Sequence, residues 1–181
     1  IADHQSPEPR RTWPAGHLVP GLQLVPMSAD ETWRSDLERA AYHEAAHEVV
    51  ARHFGCEAIA RVRPSGATDP RWDKLWVGQT EFLGRRGSVA TRRMIALAGG
   101  IAEIRLRDRD IDTYAVFEEL TDGELLSDTD AEMAGAFTVA DVERCISLVQ
   151  DLWPQVETLA LDLVQREVDL IEQSQQPFAS R

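Results

Sequence analysis

The sequence predicts a single domain that is mainly α-helical with a small β-sheet. Three features predict it. A run free of proline and glycine extends from residue 29 to 54, a second apolar-periodic run covers 88 to 107, and between them lie two short segments, the first alternating, separated by a stretch with proline and glycine. A chain of 181 residues is in the range where one hydrophobic core is the default, and neither an internal repeat nor a low-complexity block argues otherwise.

Residues 1–27 hold five of the nine prolines and little periodicity, which reads as an extended N-terminal arm that Trp13, Leu18, Leu22 and Leu24 can dock onto the domain. The domain proper is expected over 28–173. It opens with Ser28 and Glu31 in capping-box spacing, and the first helix ends at Gly55, a residue suited to a left-handed C-terminal cap. Residues 59–63 alternate, a polar stretch with Pro64, Gly66 and Pro70 intervenes, and 75–82 follow, which together read as two short strands joined by a loop. The helix over 88–107 carries an apolar stripe through Met94, Leu97, Ile101 and Ile104. Its Gly99-Gly100 pair costs about 1 kcal/mol per residue in helix propensity, which predicts close packing of another backbone there. Residues 108–127 are acidic and carry no clear element. Three further helices are expected, from about Ser127 or Asp128 to Ala136, over 139–152, and over 154–173 with Pro154 in the first turn. Residues 174–181 read as a frayed tail.

Thirty-one acidic against nineteen basic residues give a formal charge of -12, which repels phosphate backbones and anionic lipid and argues against a nucleic-acid partner. No apolar run reaches the 18 to 20 residues or so that a spanning helix needs, and the N-terminus lacks a signal-peptide pattern. The chain thus reads as soluble with no membrane segment, although a start at Ile1 leaves room for a missing upstream segment. Cys56 and Cys145 are far apart and outside any C-x-x-C arrangement. They read as small core side chains, and a reducing cytoplasm is the expected location.

The feature that carries chemistry is His43-Glu44-Ala45-Ala46-His47, an H-E-x-x-H pattern inside the first helix. Residues four apart on a helix lie one turn above each other, about 5–6 Å between Cβ atoms, so the two imidazoles can converge on one ion. Zinc takes imidazole nitrogen and, in catalytic sites, three protein ligands, leaving a position for water. Glu44 follows the first histidine and leans toward that water, where a carboxylate can act as general base. The competing reading makes both histidines surface residues. Ala40 and Ala41 before the motif and Val49 and Val50 after it make this a buried helix, and buried histidines need partners. The third ligand has to come from elsewhere: Asp128, Asp130, Glu103 and, more remotely, His53 are the candidates, and an acid at the start of a helix can equally be an N-cap. His4 and His17, in the arm, are not expected to be ligands.

These residues resemble the peptidase domain of FtsH-type AAA proteases and stand-alone bacterial proteins similar to it. Residues 41–47 are similar to that family's A-x-H-E-A-G-H helix, 59–63 and Gly78-Gln79-Thr80 to its strand pair with a G-x-T element, 96–103 to its L-A-G-R-A-A-E helix, and 130–134 to its D-x-E-x-A stretch. The likeness spans about 38 to 136, with the four elements in the expected order. It implies a HExxH-helix zinc metallopeptidase domain with zinc on His43, His47 and Asp130 and Glu44 as base, Asp128 standing in reserve as third ligand. It also implies an edge strand that binds extended peptide. The chain departs from the pattern at Ala46, where glycine is usual, at Glu48, which is expected to bring negative charge near the metal, and in the acidic stretch 108–127. No Walker A motif is present, so ATP-driven unfolding is not expected. The expected function is therefore zinc-dependent hydrolysis of flexible polypeptide or peptide without an ATPase of its own. A zinc-containing binding or regulatory module is the alternative, a hydrolase of non-peptide substrates the weaker third. The substrate and the assembly, homo-oligomer or separate partner protein, stay open.

Overall fold

A computed structural model describes residues 29–65, 75–85, 87–108, 110–123 and 125–175, with side chains from residue 32 to 174. The arm over 1–27, Ser28 and the Glu31 side chain of the capping box, and residues 176–181 of the tail lie outside what it describes. The architecture is mainly helical with one two-stranded antiparallel sheet: α1 (Ala29–His53), β1 (Ala58–Pro64), β2 (Trp76–Phe82), α2 (Val89–Arg107), α3 (Thr113–Thr121), α4 (Asp128–Ala134) and α5 (Val139–Gln175). No helix among the described residues is long and apolar enough to cross a membrane.

Helix α1 is central and packs against α2, α5 and both strands. Its run of Ala41, Ala45, Ala46, Val49, Val50 and Ala51 is almost wholly buried, and small side chains let neighbouring helices approach closely. It ends as expected at Gly55, with φ of 73°. The strands pair in the register Ala58↔Phe82 to Pro64↔Trp76. Ala58, Ala60, Val62 and Trp76 turn toward α1, so one sheet face closes the core.

Helix α2 starts at Ser88, whose hydroxyl accepts from the Thr91 amide at 3.1 Å, and ends with Arg105 and Arg107 in its last turn, where cations complement the helix dipole. Within the acidic stretch that carried no predicted element lies α3, capped by Asp112 accepting from the Ala115 amide at 2.9 Å. Only Val116 and Leu120 of its nine residues are buried, too few to show a period.

Where two helices were expected from 139 onward, one helix of 37 residues runs through Pro154. Proline inside a helix removes one hydrogen bond and costs about 3 kcal/mol. Here Val149, Leu152, Val156, Ala160 and Leu163 form one buried stripe that crosses it. Trp153 also stacks on Tyr42 of α1 at 5.4 Å and receives the Arg105 guanidinium on its ring at 4.5 Å. Packing on both sides of the proline outweighs the lost bond. A reciprocal box at the start, in which the Asp141 amide donates to the Thr138 hydroxyl and the Thr138 amide donates to the Asp141 carboxylate, sets where α5 begins. Cys56 and Cys145 are buried free thiols, as expected of core side chains.

Candidate metal centre

Helix α1 places His43 and His47 one turn apart with ring centroids 4.6 Å from each other. Each ring is anchored through Nδ1 by α2. His43 Nδ1 lies 2.6 Å from Glu103 Oε1, and His47 Nδ1 lies 2.7 Å from the carbonyl of Ile95. A carbonyl only accepts, so His47 Nδ1 donates, and Nε2 is the nitrogen turned toward Asp130. Fixing Nδ1 in this way is how proteins orient metal-binding imidazoles.

Asp130, at the start of α4, faces both rings: Oδ2 is 3.5 Å from His43 Nε2 and Oδ1 is 3.4 Å from His47 Nε2. Ser127 holds it, the hydroxyl donating to Oδ2 at 2.6 Å and accepting from the Asp130 amide at 3.1 Å. Asp130 is thus capped and aimed at once, and the N-cap role belongs to Ser127. Asp128 is two residues earlier, about 200° around the helix, exposed and outside the cluster. Glu103, another candidate ligand, backs His43 from the far side of the ring. His53 sits at the end of α1 against Phe54.

His43, His47 and Asp130 form a buried group able to hold a metal ion, their ligand atoms all within 4.8 Å of one another. Among the described residues His47 Nε2 makes no hydrogen bond although it is buried, and an ion held there would give it a partner. Gly99 of α2 forms the wall behind the rings. A Cβ there would stand 2.6 Å from both Nε2 atoms, so the glycine that looked like a site of backbone approach in fact accommodates two imidazoles. Its neighbour Gly100 accommodates the Leu120 side chain.

Burial opposes a charged His43, but Asp130 and Glu103, with Glu44 adding to them, outweigh it and raise the ring to about 10. Burial also opposes an ionised Asp130, and the two rings hold its carboxyl well below the usual range. Both shifts favour an imidazolium paired with a carboxylate when no metal is bound. The His43 contribution to stability is complete below its ordinary 6.5 and is lost as pH rises through about 10. The Asp130 contribution is present above its ordinary 3.8 and is lost as pH falls. A metal binding here competes with the His43 proton, so affinity is expected to rise with pH and binding to release a proton. Calorimetry in two buffers of different ionisation enthalpy reads that proton directly; affinity that does not change with pH contradicts the assignment.

Glu44, 7% exposed, turns toward β2. Thr80 Oγ1 donates to Glu44 Oε2 at 2.6 Å, and Gly78 lies under the rest of the side chain: a Cβ at 78 would fall 2.2 Å from Glu44 Cγ and 2.3 Å from Oε1. Two cavities, of about 480 and 250 Å³, meet at this point and share Glu44, Gly78, Ser127 and Asp130 as lining. Together they form a groove between β2 and the segment entering α4, passing His43 on one side and His47 on the other.

Glu48 was expected to bring negative charge toward the metal, and the structure corrects this. Its carboxylate points to the sheet, accepting from the Ala60 amide and pairing with Arg52 at 2.6 Å, so it ties α1 to β1. Sequence reading also missed the roles of Glu103, Ser127 and Gly99 around the rings; the Gly99-Gly100 pair was the one signal of a close approach. The chain matches no family model and no curated protein.

Proposed function

We propose that this chain is a zinc-dependent metallopeptidase that hydrolyses flexible polypeptide without an ATPase of its own, similar in its site to the FtsH-type peptidase domain. The observation that carries the reading is the buried convergence of His43, His47 and Asp130 beside a Glu44 carboxylate fixed over the Gly78 and Thr80 stretch of β2. Two imidazoles and one carboxylate are a donor set suited to zinc with a position left for water. A zinc ion held there supplies Lewis acidity and lowers the pKa of water toward about 7.

The chain's own residues supply the rest. Glu44 takes the proton of the attacking water and returns it to the leaving amine as the C–N bond breaks. Thr80 holds one Glu44 oxygen, which leaves the other over Gly78 to meet that proton. Glu103 and the Ile95 carbonyl keep the imidazoles in the orientation that directs both Nε2 atoms inward.

The substrate is proposed to bind as an added strand. Leu83 donates to Glu57 and Ser65 to Leu75 across the sheet, so the odd-numbered positions of β2 bond to β1 and the even-numbered ones point outward. Among the described residues the outward amides of Gly78 and Thr80 have no protein partner, and these are the two residues beside Glu44. A peptide paired there lies across the groove at the level of the base. The test is incubation of zinc-loaded protein with an unfolded casein, with and without a chelator. Fragments that form only with zinc are expected. No cleavage at full zinc occupancy contradicts the reading and leaves a metal-holding binding module.

A further inference from the structure

Gly78 pairs with Val62 in the middle of β2, where the backbone is that of a strand and not the positive-φ turn that glycine serves at Gly55. Glycine inside a strand loses entropy on folding and packs nothing, so conformation does not account for it here. A close approach does. Position 78 shares a sheet face with the buried Trp76 and with Thr80, the face turned to α1. A Cβ there would fall 2.2 Å from Glu44 Cγ, 2.3 Å from Oε1 and 2.6 Å from Cδ, all atoms of one side chain.

We propose that Gly78 is a positioning residue for Glu44: the side chain that position 78 lacks leaves the space in which the carboxylate is seated, and any side chain there yields a protein that holds zinc and does not hydrolyse. The inference rests on the peptidase reading and separates its two halves, because the three metal-facing residues lie on α1 and α4 and none on β2. The clash falls at Cγ as well as at the carboxylate, so turning the far end of Glu44 does not relieve it. Relief needs rotation about the Cα–Cβ bond, and a helix leaves that bond essentially one other staggered position. Taking it carries the carboxylate off Thr80 Oγ1, which holds it at 2.6 Å. Moving the strand instead is opposed by its ladder with β1 and by the Trp76 amide, which donates to Asp36 Oδ2 at 2.9 Å. A reacting group misplaced by about 1 Å costs about 100-fold in rate. The new methyl points to α1 and not along the strand, so the Gly78 and Thr80 amides keep their places.

The test sets zinc-loaded Gly78→Ala beside Gly84→Ala, whose methyl would meet nothing within 4 Å. In Gly78→Ala, kcat on unfolded casein is expected to fall about 100-fold at native zinc content, with KM within about twofold of native. Gly84→Ala is expected to keep both constants. Native kcat in Gly78→Ala at full zinc overturns the proposal, and so does a loss confined to KM. A second measurement needs no activity: thermal unfolding of Gly78→Ala in the native and in the Glu44→Ala background. Glu44→Ala removes every atom that the methyl would strike, so Gly78→Ala is expected to lower Tm in the native background and not in the other. Equal losses in both backgrounds mean that the methyl meets something other than Glu44, and they overturn the proposal. If Gly78→Ala alone fails to fold or to hold zinc, this comparison decides. Cleavage by Gly78→Ala at the native rate defeats this inference alone; no cleavage by the native protein defeats the peptidase reading with it.

Discussion

Glu44→Gln is expected to keep its zinc and to lose hydrolysis by about 10²- to 10⁴-fold, the usual contribution of a general base. The substitution is nearly isosteric, and the amide can still accept from Thr80 Oγ1, so the side chain stays over Gly78 and the groove keeps its shape. What it loses is the ability to take a proton. The three metal-facing atoms belong to His43, His47 and Asp130, so zinc content does not depend on residue 44. A kcat assay on unfolded casein beside metal analysis of the same sample separates the two effects. Unchanged kcat in the zinc-loaded variant removes Glu44 from its assigned role.

Gly99→Ala is expected to weaken zinc binding on the order of 100-fold or more, at the upper end of what residues supporting a metal site cost. The added methyl would sit 2.6 Å from both His43 Nε2 and His47 Nε2, where real Cβ atoms are not found. To relieve it the rings have to turn, and each is tied at Nδ1 to α2, His43 by Glu103 and His47 by the Ile95 carbonyl. Helix propensity favours alanine by about 1 kcal/mol, so the fold is not the weak point. Gly100→Ala is the control: its methyl meets the far end of Leu120, which can move, and zinc affinity is expected to stay within about twofold of native. Competition with a chromophoric chelator measures both. Equal affinities in the two variants contradict the placement of the rings against Gly99.

Much of this was legible in the residues themselves. The absence of proline and glycine between residues 29 and 54 marked α1, alternation over 59–63 and the proline and glycine stretch before 75–82 marked the two strands, and the four-residue spacing of His43 and His47 placed two imidazoles on one helix face. Other features depend on long-range packing, which local patterns do not record. The continuity of α5 through Pro154 comes from a buried stripe and a ring stack against α1. Helix α3 buries two side chains in nine residues and carries almost no period. Asp130 reaches His43 across 87 positions, and spacing alone could not choose it over Asp128 or Glu103; the helical phase of α4 and the Ser127 cap do. Glu48 lay next to His47 in the chain yet turns to the sheet, because a buried carboxylate follows its hydrogen-bond donors and not its sequence neighbours.

The convergence of two rings and one carboxylate on a single ion is tested most directly by the metal content of the purified protein beside His43→Ala, Asp130→Ala and Asp128→Ala variants. The expected result is one zinc per native chain, retained in Asp128→Ala and lost in the other two. Native protein that binds no divalent ion, or an Asp130→Ala variant that holds zinc as tightly as the native chain, would contradict it.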